Sequence, residues 1–341
     1  MDFKNFVETE RINIVDVGAR FGINTPWDQL QDSSIYVMGF EPDVDECKKL
    51  NLESNLNSIY MPTGLSDIDD EITLFITEQP GCSSIYKPNV DFFNKLYNGE
   101  QFNVVSEHII STKPLSTVLN EKNFQPDFIK IDAQGAAYKI LNGASSHLNN
   151  IMMLEIEVEF SELYINEPLF SDVDIFLRIY KFQILDINKY YGKRKILPKY
   201  NSARGQVFFG DILYYKPIAS FIEENMLNLN FKSQTIKYIK MLTLYGFFDI
   251  ALELILHSKS PFDLAEKNKF QKEILKKSKI SKFILLLCDN IISNKIGQLL
   301  IMIGNTLMIR SRTSGWGSDY LNEDSRYKYY RNGTISKFFK K

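Results

Sequence analysis

The stretch Ile12–Gly22 reads INIVDVGARFG. An apolar run ends on Asp16, and two glycines, Gly18 and Gly22, follow with Ala19, Arg20 and Phe21 between them. A short apolar run bounded by glycine is the pattern of a strand. Glycines at its end let the backbone approach a ligand closely, and a helix start beyond them presents unpaired N–H groups. The spacing Gly-x-x-x-Gly is not the Gly-x-Gly-x-x-Gly of dinucleotide sites. A carboxylate at the strand end repels a pyrophosphate and attracts a cationic ligand. A second acid, Glu41, closes the next apolar run, SIYVMGFEP, where an acid accepts hydrogen bonds from ribose hydroxyls. Taken alone, DVGARFG also suits an ordinary strand that stops at a turn. With Glu41, Pro42 and Asp43 added, the pattern fits S-adenosylmethionine better than NAD.

Working outward, apolar runs alternate with amphipathic ones as far as Lys216. TPWDQL reads as a helix start, with Thr25 as N-cap and Pro26 at the first helical position. DVDECKKLNLESNL is helical, capped by Asp43. SIYMPTGLSD reads as a third strand and EITLFIT as a short one, and GCSSIYKPN is a loop. PDFIKIDAQG is a buried strand, AAYKILNGASSHL a helix and IMMLEIEVEF another strand. FSDVDIFLRIYKF follows as a helix with Ser171 as cap, then QILDI and GQVFFGDILYYK as two strands with no helix between them. Strands alternating with helices predict a largely parallel sheet, and the last two strands pair antiparallel at its edge.

These blocks carry a resemblance. VDVGARFG, GFEPD, GLSD, GCSSIYKPN, DFIKIDAQGA…ILNGA and LEIEVEFSELYINEPLFSDVDIFL occur in the order seen in the FkbM family of S-adenosylmethionine-dependent methyltransferases, over about residues 10–215. The resemblance implies a Rossmann-like class I methyltransferase fold, a seven-stranded and mostly parallel α/β sheet, and O-methyl transfer, most often to a sugar hydroxyl. It further implies that Asp16, Gly18 and Gly22 line the methionine end of the cofactor. Glu41 would hold the ribose, Ser66 and Asp67 would lie near the adenine, and Asp132 and Gln134 beside the methyl donor. One position departs from the family: Ala137 stands where it usually has glutamate.

Glu155, Glu157 and Glu159 alternate with Ile156, Val158 and Phe160, so the three carboxylates share one face of a strand. Burying them unpaired is costly, so the face is either wet, paired with Lys or Arg, or part of a cleft. Ligands sit at strand ends in open α/β sheets, which puts Glu159, then Glu157, nearest the chemistry. A sugar hydroxyl needs a base, and a carboxylate with a raised pKa supplies one. Asp132, Glu159 and Glu157 are the candidate catalytic residues. A divalent metal on Asp132 with Glu157 or Glu159 is a competing reading, although no metal motif is present. His108, in VVSEHIIST, is the alternative base. Ser83, Ser84 and Tyr86, in the GCSSIYKPN loop, suit a sugar face.

The chain has 341 residues, 44% of them apolar and 24% charged, which is a folded globular composition. Cys47, Cys82 and Cys288 are too widely spaced for a metal motif and suit a reducing compartment. The start, MDFKNFVETE, is no signal peptide, and no stretch is apolar enough to span a bilayer, so a cytoplasmic protein is expected. Acids outnumber bases up to Ser258 and bases outnumber acids from Lys259 onward. Three regions follow: a methyltransferase domain at 1–217, a helical accessory domain at 218–310, and a polar, basic, tyrosine-rich tail at 311–341. The tail interleaves cations with Tyr320, Tyr327, Tyr329 and Tyr330, which suits peripheral contact with an anionic membrane surface. The acidic first domain argues against nucleic acid as the substrate. Two functions stand: an O-methyltransferase acting on a glycan or a nucleotide- or lipid-linked sugar in surface polysaccharide synthesis, and a degenerate methyltransferase-fold protein that binds a partner through its basic helical part.

Overall fold

The computed structural model describes residues 10–30, 34–53, 57–198 and 205–277. The expected tail at 311–341, its membrane contact and the last part of the helical region lie outside these residues.

Two parallel strands, β1 (Ile12–Val17) and β2 (Ile35–Phe40), start the main sheet. The helix α1 (Val44–Glu53) follows, and Asp43 caps it by accepting the Asp45 and Glu46 amides at 3.0 and 3.2 Å. Next come β3 (Ser58–Met61), β4 (Gly64–Ser66), β5 (Asp70–Thr77), a single turn α2 (Val90–Phe93) and β6 (Val104–Pro114). The chain continues through α3 (Leu115–Glu121), β7 (Phe128–Ile131), α4 (Ala137–Gly143), β8 (Met153–Glu159) and α5 (Phe170–Ile179). The hairpin β9 (Gln183–Gly192) and β10 (Gln206–Tyr215) ends this part.

The seven-stranded sheet runs β3-β2-β1-β7-β8-β10-β9, and only β10 is reversed, pairing antiparallel with β8 and β9. The order changes direction between β1 and β7, which opens a crevice at their carboxyl ends. A three-stranded sheet, β4-β6-β5, is inserted between β3 and β7. One face of the main sheet, through Val15, Val17, Ile129, Ile131 and Ile156, packs on α3, α4 and α5.

The opposite face receives four further helices: α6 (Ile218–Asn225), α7 (Phe231–Leu244), α8 (Phe248–Leu256) and α9 (Leu264–Lys277). Tyr238, Met241, Leu242, Leu254 and Ile255 join Ile12, Ile14, Val37, Phe128, Met153 and Leu213 in one buried cluster. Lys237 pairs with Asp127 at 2.9 Å, and Lys240 donates to the carbonyls of Glu10 and Ser34. Among the described residues no helix is long and apolar enough to cross a membrane.

Three local expectations are corrected. TPWDQL is a single 3-10 turn, Trp27–Gln29: the Thr25 hydroxyl donates to Asp28 at 2.9 Å instead of capping a helix, and Trp27 is drawn into the core. SIYMPTGLSD is two strands in two sheets, because the chain leaves the main sheet at Pro62. Helix α5 is capped not by Ser171 but by Asp172, which accepts the Leu169 amide at 2.9 Å.

Candidate active site

Asp16 stands at the end of β1, fully buried. Its Oδ1 meets Lys130 Nζ at 3.4 Å, and its Oδ2 has no hydrogen-bond partner. Burial pushes the Asp16 carboxyl up, against the pull of Lys130. Lys130 comes from β7, the next strand, and also faces Asp132 at 3.8 Å. Beyond Asp16, Gly18 adopts a φ of +72°, and a Cβ there would land on the Asp132 carbonyl. Glycine is therefore required for the β1 turn to pass the β7 turn. Phe21 sits at φ +73° and is 73% exposed.

Glu41 follows β2 on the other side of the glycine turn. Its Oε1 accepts the Asp43 amide at 3.0 Å and lies 3.9 Å from Arg20, whose guanidinium also holds Asp43 at 2.9 Å. Burial raises the Glu41 carboxyl, while the Asp43 amide and Arg20 work in the other direction. Ser66 ends β4 and donates to Asp67 at 3.1 Å. Burial works to raise Asp67, yet Ser66 and Lys139 hold it below the ordinary value.

The carboxylates of β8 meet three different fates. Glu155 is taken by Tyr245 of the helical region, whose hydroxyl donates to Oε2 at 2.7 Å. Glu157 accepts Gln134 Nε2 at 2.5 Å, and the same nitrogen lies 3.3 Å from Asp132 Oδ1. Burial and the charges of Asp132, Glu159 and Asp211 push Glu157 well up. Glu159 is enclosed, only 3% exposed, and takes the amide of Gly135. It is raised by burial first and then by Glu167. The structure thus brings Asp132, Gln134 and Glu157 together at the crevice, with Glu159 enclosed two residues further along β8 beside Gly135 and Glu167.

The Gln134–Gly135 turn has φ values of +45° and +84°. A Cβ on Gly135 would collide with Glu167 Oε2. Tyr164, wholly buried, sets the Gln134 amide: its hydroxyl lies 2.7 Å from Gln134 Oε1 and 3.0 Å from the Cys82 carbonyl. Ser84 donates to the Gln134 carbonyl at 2.6 Å, and Ser83 accepts the Thr77 amide at 3.2 Å. The two serine hydroxyls expected to face a sugar are therefore bonded to the chain itself. Tyr86 is half-buried, its hydroxyl pushed up to about 12 by burial and by Asp67 and Glu167. His108 is exposed on β6 of the accessory sheet.

Sequence reading missed Lys130, Tyr164, Glu167, Tyr245 and the trio Asn188, Tyr190 and Asp211, in which both other side chains reach Asp211 Oδ2 at 3.1 and 2.9 Å. A signal existed for Lys130, a cation inside the four-residue buried strand FIKI. Among the described residues, no group of three or more His, Cys, Asp or Glu side chains is arranged to hold a metal ion.

A seven-stranded sheet with one reversed strand, and an acid, a glycine turn and a second acid at the ends of β1 and β2, define a Rossmann-like class I methyltransferase fold. Residues 16–184 match the model of the methyltransferase FkbM domain, and this part of the chain belongs to that family. No curated protein matches the chain. Among solved structures it is similar to the precorrin-6y C5,15-methyltransferase of Geobacter metallireducens GS-15, at 9% identity over 62% of this chain and 83% of that one, with a TM-score of 0.32. It is also similar to M. capricolum TrmK in complex with S-adenosyl-homocysteine, at 10% identity over 80% and 93%, with a TM-score of 0.31. Magnesium protoporphyrin IX methyltransferase of Synechocystis PCC 6803, with bound SAM, follows at 10% identity over 63% and 73%, with a TM-score of 0.30. These are distant likenesses in fold.

Proposed function

We propose that this protein is an S-adenosylmethionine-dependent O-methyltransferase whose acceptor is a sugar hydroxyl. The observation that carries the cofactor reading is Asp16 Oδ2, a buried carboxylate oxygen without a partner at the carboxyl end of β1. A buried unpaired acceptor is costly, and a cationic ligand group in the crevice would relieve it. Asp16 would take the amino end of the cofactor, Glu41 its ribose hydroxyls, and Ser66 and Asp67 would flank the adenine. When bound, the cofactor supplies an electrophilic methyl group.

The chain's own task is then to orient the acceptor and remove its proton. Glu157 suits the second role. It stands beside Asp132 and Asp211, its basicity is raised by burial and by their charges, and Gln134 Nε2 fixes one of its oxygens. Lys130 is committed to Asp16 and Asp132, so the wall presented to an acceptor is acidic. Such a wall favours a neutral hydroxyl over a phosphate. The thiol of Cys82, next to Glu157 and Asp132, is pushed up to about 12, which disfavours covalent catalysis through it.

Two measurements test the reading. Calorimetric titration of the purified chain with S-adenosylmethionine should give saturable binding. Label from the methyl-labelled cofactor should pass to a sugar acceptor with an alkali-stable ether linkage. Absence of cofactor binding overturns the whole reading; label found only on nitrogen or carbon overturns the O-methyl part.

A further inference from the structure

The helices α6–α9 lie beyond the 16–184 family domain, yet they meet the sheet at the level of the candidate cofactor site. Three ladder neighbours mark that level. Asp16 of β1 is opposite Lys130 of β7, and Lys130 is opposite Glu155 of β8. Two residues earlier on the same face stand Ile14, Phe128 and Met153, which are apolar and covered by the helices. The row Asp16, Lys130 and Glu155 is thus the first polar layer above an apolar floor.

Tyr245 is the residue with which the helical region reaches this layer. It follows the last turn of α7, its ring stacks on Phe128 at 6.0 Å and meets Trp27 edge-on at 5.9 Å. Its hydroxyl accepts the Trp27 indole N–H at 3.0 Å and donates to Glu155 Oε2 at 2.7 Å. Its lone proton is therefore committed to Glu155, and its oxygen to Trp27.

We propose that Tyr245 is a positioning residue of the cofactor site: by holding Glu155 it keeps Lys130 on Asp16, and so makes the helices outside the family domain part of the cofactor-binding machinery. The carboxylates around Lys130 compete for one cation. Lys130 stands among Asp16, Asp132, Glu155 and Asp211, and all four carboxylates favour its charged form. Its contact with Asp16 is long, at 3.4 Å, and Asp16 already has one oxygen unpartnered. A Glu155 that loses the tyrosine's proton draws Lys130 toward itself. Asp16 is then a buried carboxylate with less support, and it takes up a proton more readily. A protonated Asp16 no longer attracts a cationic amino group.

This inference rests on the reading of Asp16 as a cofactor residue, and the test separates the two. Affinity for S-adenosylmethionine is measured calorimetrically on the full chain for the wild type, Tyr245→Phe, Glu155→Gln and the double variant, with thermal unfolding in parallel. Tyr245→Phe keeps the ring and should weaken binding about fivefold or more, since it removes a hydrogen bond to a charged group and part of that loss is passed on to Asp16. In the Glu155→Gln background, where the Glu155 charge no longer competes for Lys130, the same substitution should change affinity by no more than about twofold, because the coupling runs through Glu155. A merely structural tyrosine lowers stability equally in both backgrounds and leaves affinity alone. Unchanged affinity in a folded Tyr245→Phe chain, or an equal loss in both backgrounds, overturns the proposal. If Tyr245→Phe does not fold, Glu155→Gln decides: binding at least as tight as wild type supports the competition, and weaker binding overturns it. A wild-type chain that binds no S-adenosylmethionine defeats the functional reading, and this inference with it.

Discussion

Tyr164→Phe removes one oxygen from a wholly buried ring and leaves its packing beside Phe102 in place. That oxygen lies 2.7 Å from Gln134 Oε1 and 3.0 Å from the Cys82 carbonyl. Both partners are neutral, so the loss to stability is that of a neutral buried hydrogen bond, about 1–2 kcal/mol. For a domain of this size that lowers Tm by roughly 2–6 °C. The effect on turnover comes through Gln134. Its amide is held at both ends, by Tyr164 on the oxygen and by Glu157, at 2.5 Å, on the nitrogen. Without the tether the amide can turn its oxygen toward Glu157, and the carboxylate loses a donor that favours its charged form. Glu157 is already raised by burial and by Asp132, Glu159 and Asp211, so its proton binds more tightly still. A base works only when deprotonated. The acid limb of the kcat profile should therefore move to higher pH, by up to about one unit, since 1.4 kcal/mol of lost support corresponds to one unit. Turnover at neutral pH should fall about tenfold, while the affinity for S-adenosylmethionine, which the proposal assigns to Asp16 and Glu41, should stay the same. Steady-state methyl transfer across pH, with calorimetric cofactor titration, reads both. An unshifted acid limb, or a loss of cofactor affinity as large as the loss of turnover, refutes the reasoning.

Glu41→Ala removes the charged acceptor assigned to the ribose hydroxyls and should weaken S-adenosylmethionine binding at least about tenfold in calorimetry, with the fold intact by circular dichroism. Gly18→Ala forces a Cβ onto the Asp132 carbonyl at a φ of +72°, so thermal unfolding should show a destabilisation of about 2 kcal/mol or more. Glu167 titrates at about 7 in the fold, raised from 4.5 chiefly by burial although the Tyr164 and Leu163 amides work against the shift. The carboxyl is raised, so its contribution to stability is fully present below about pH 4.5 and is lost as the pH rises through about 7. Relative to Glu167→Gln, the wild type should lose Tm between those pH values, and parallel curves for the two proteins would dismiss Glu167 as the titrating group.

The fold was legible where burial alone decides the pattern. INIVDV and DFIKID read as strands because each is a short, mostly apolar run, IMMLEIEVE because its acids alternate with apolar residues, and acids at the strand ends mark the crevice. Local signals failed where a distant contact was stronger. The Thr25-Pro26 start lost to the pull of Trp27 into a cluster with Phe128 and Tyr245, residues far off in sequence. The site was legible to the same depth. Period-two alternation placed Glu155, Glu157 and Glu159 on one face. It could not tell their fates apart, because Tyr245, Gln134 and Glu167 decide them from three other segments. Tyr164 and Glu167 lie inside the block SELYINEPLF, where nothing in the local spacing distinguishes a buried tyrosine that sets an amide from one that fills a core.

One regularity ties the sheet to its chemistry. On the face covered by α6–α9, the three central parallel strands pass from apolar to charged at the same height. In β1 the order is Ile12, Ile14, Asp16; in β7 it is Phe128, Lys130, and then Asp132 just beyond the strand; in β8 it is Met153, Glu155, Glu157. These strands are parallel, so their charges gather at their carboxyl ends, above the helices. In β10 the order is inverted, Asp211 before Leu213, and β10 is the strand that runs the other way. Its Leu213 lies opposite Glu155 and its Asp211 opposite Glu157, so on β10 the charge stands at the crevice end, one step beyond the row of Asp16, Lys130 and Glu155. The direction of a strand is thus written in the order of its charged and apolar residues. The reversal at GDILYY follows from one physical demand: charges that serve a common crevice must stand at the same end of the sheet, whichever way the chain passes through it.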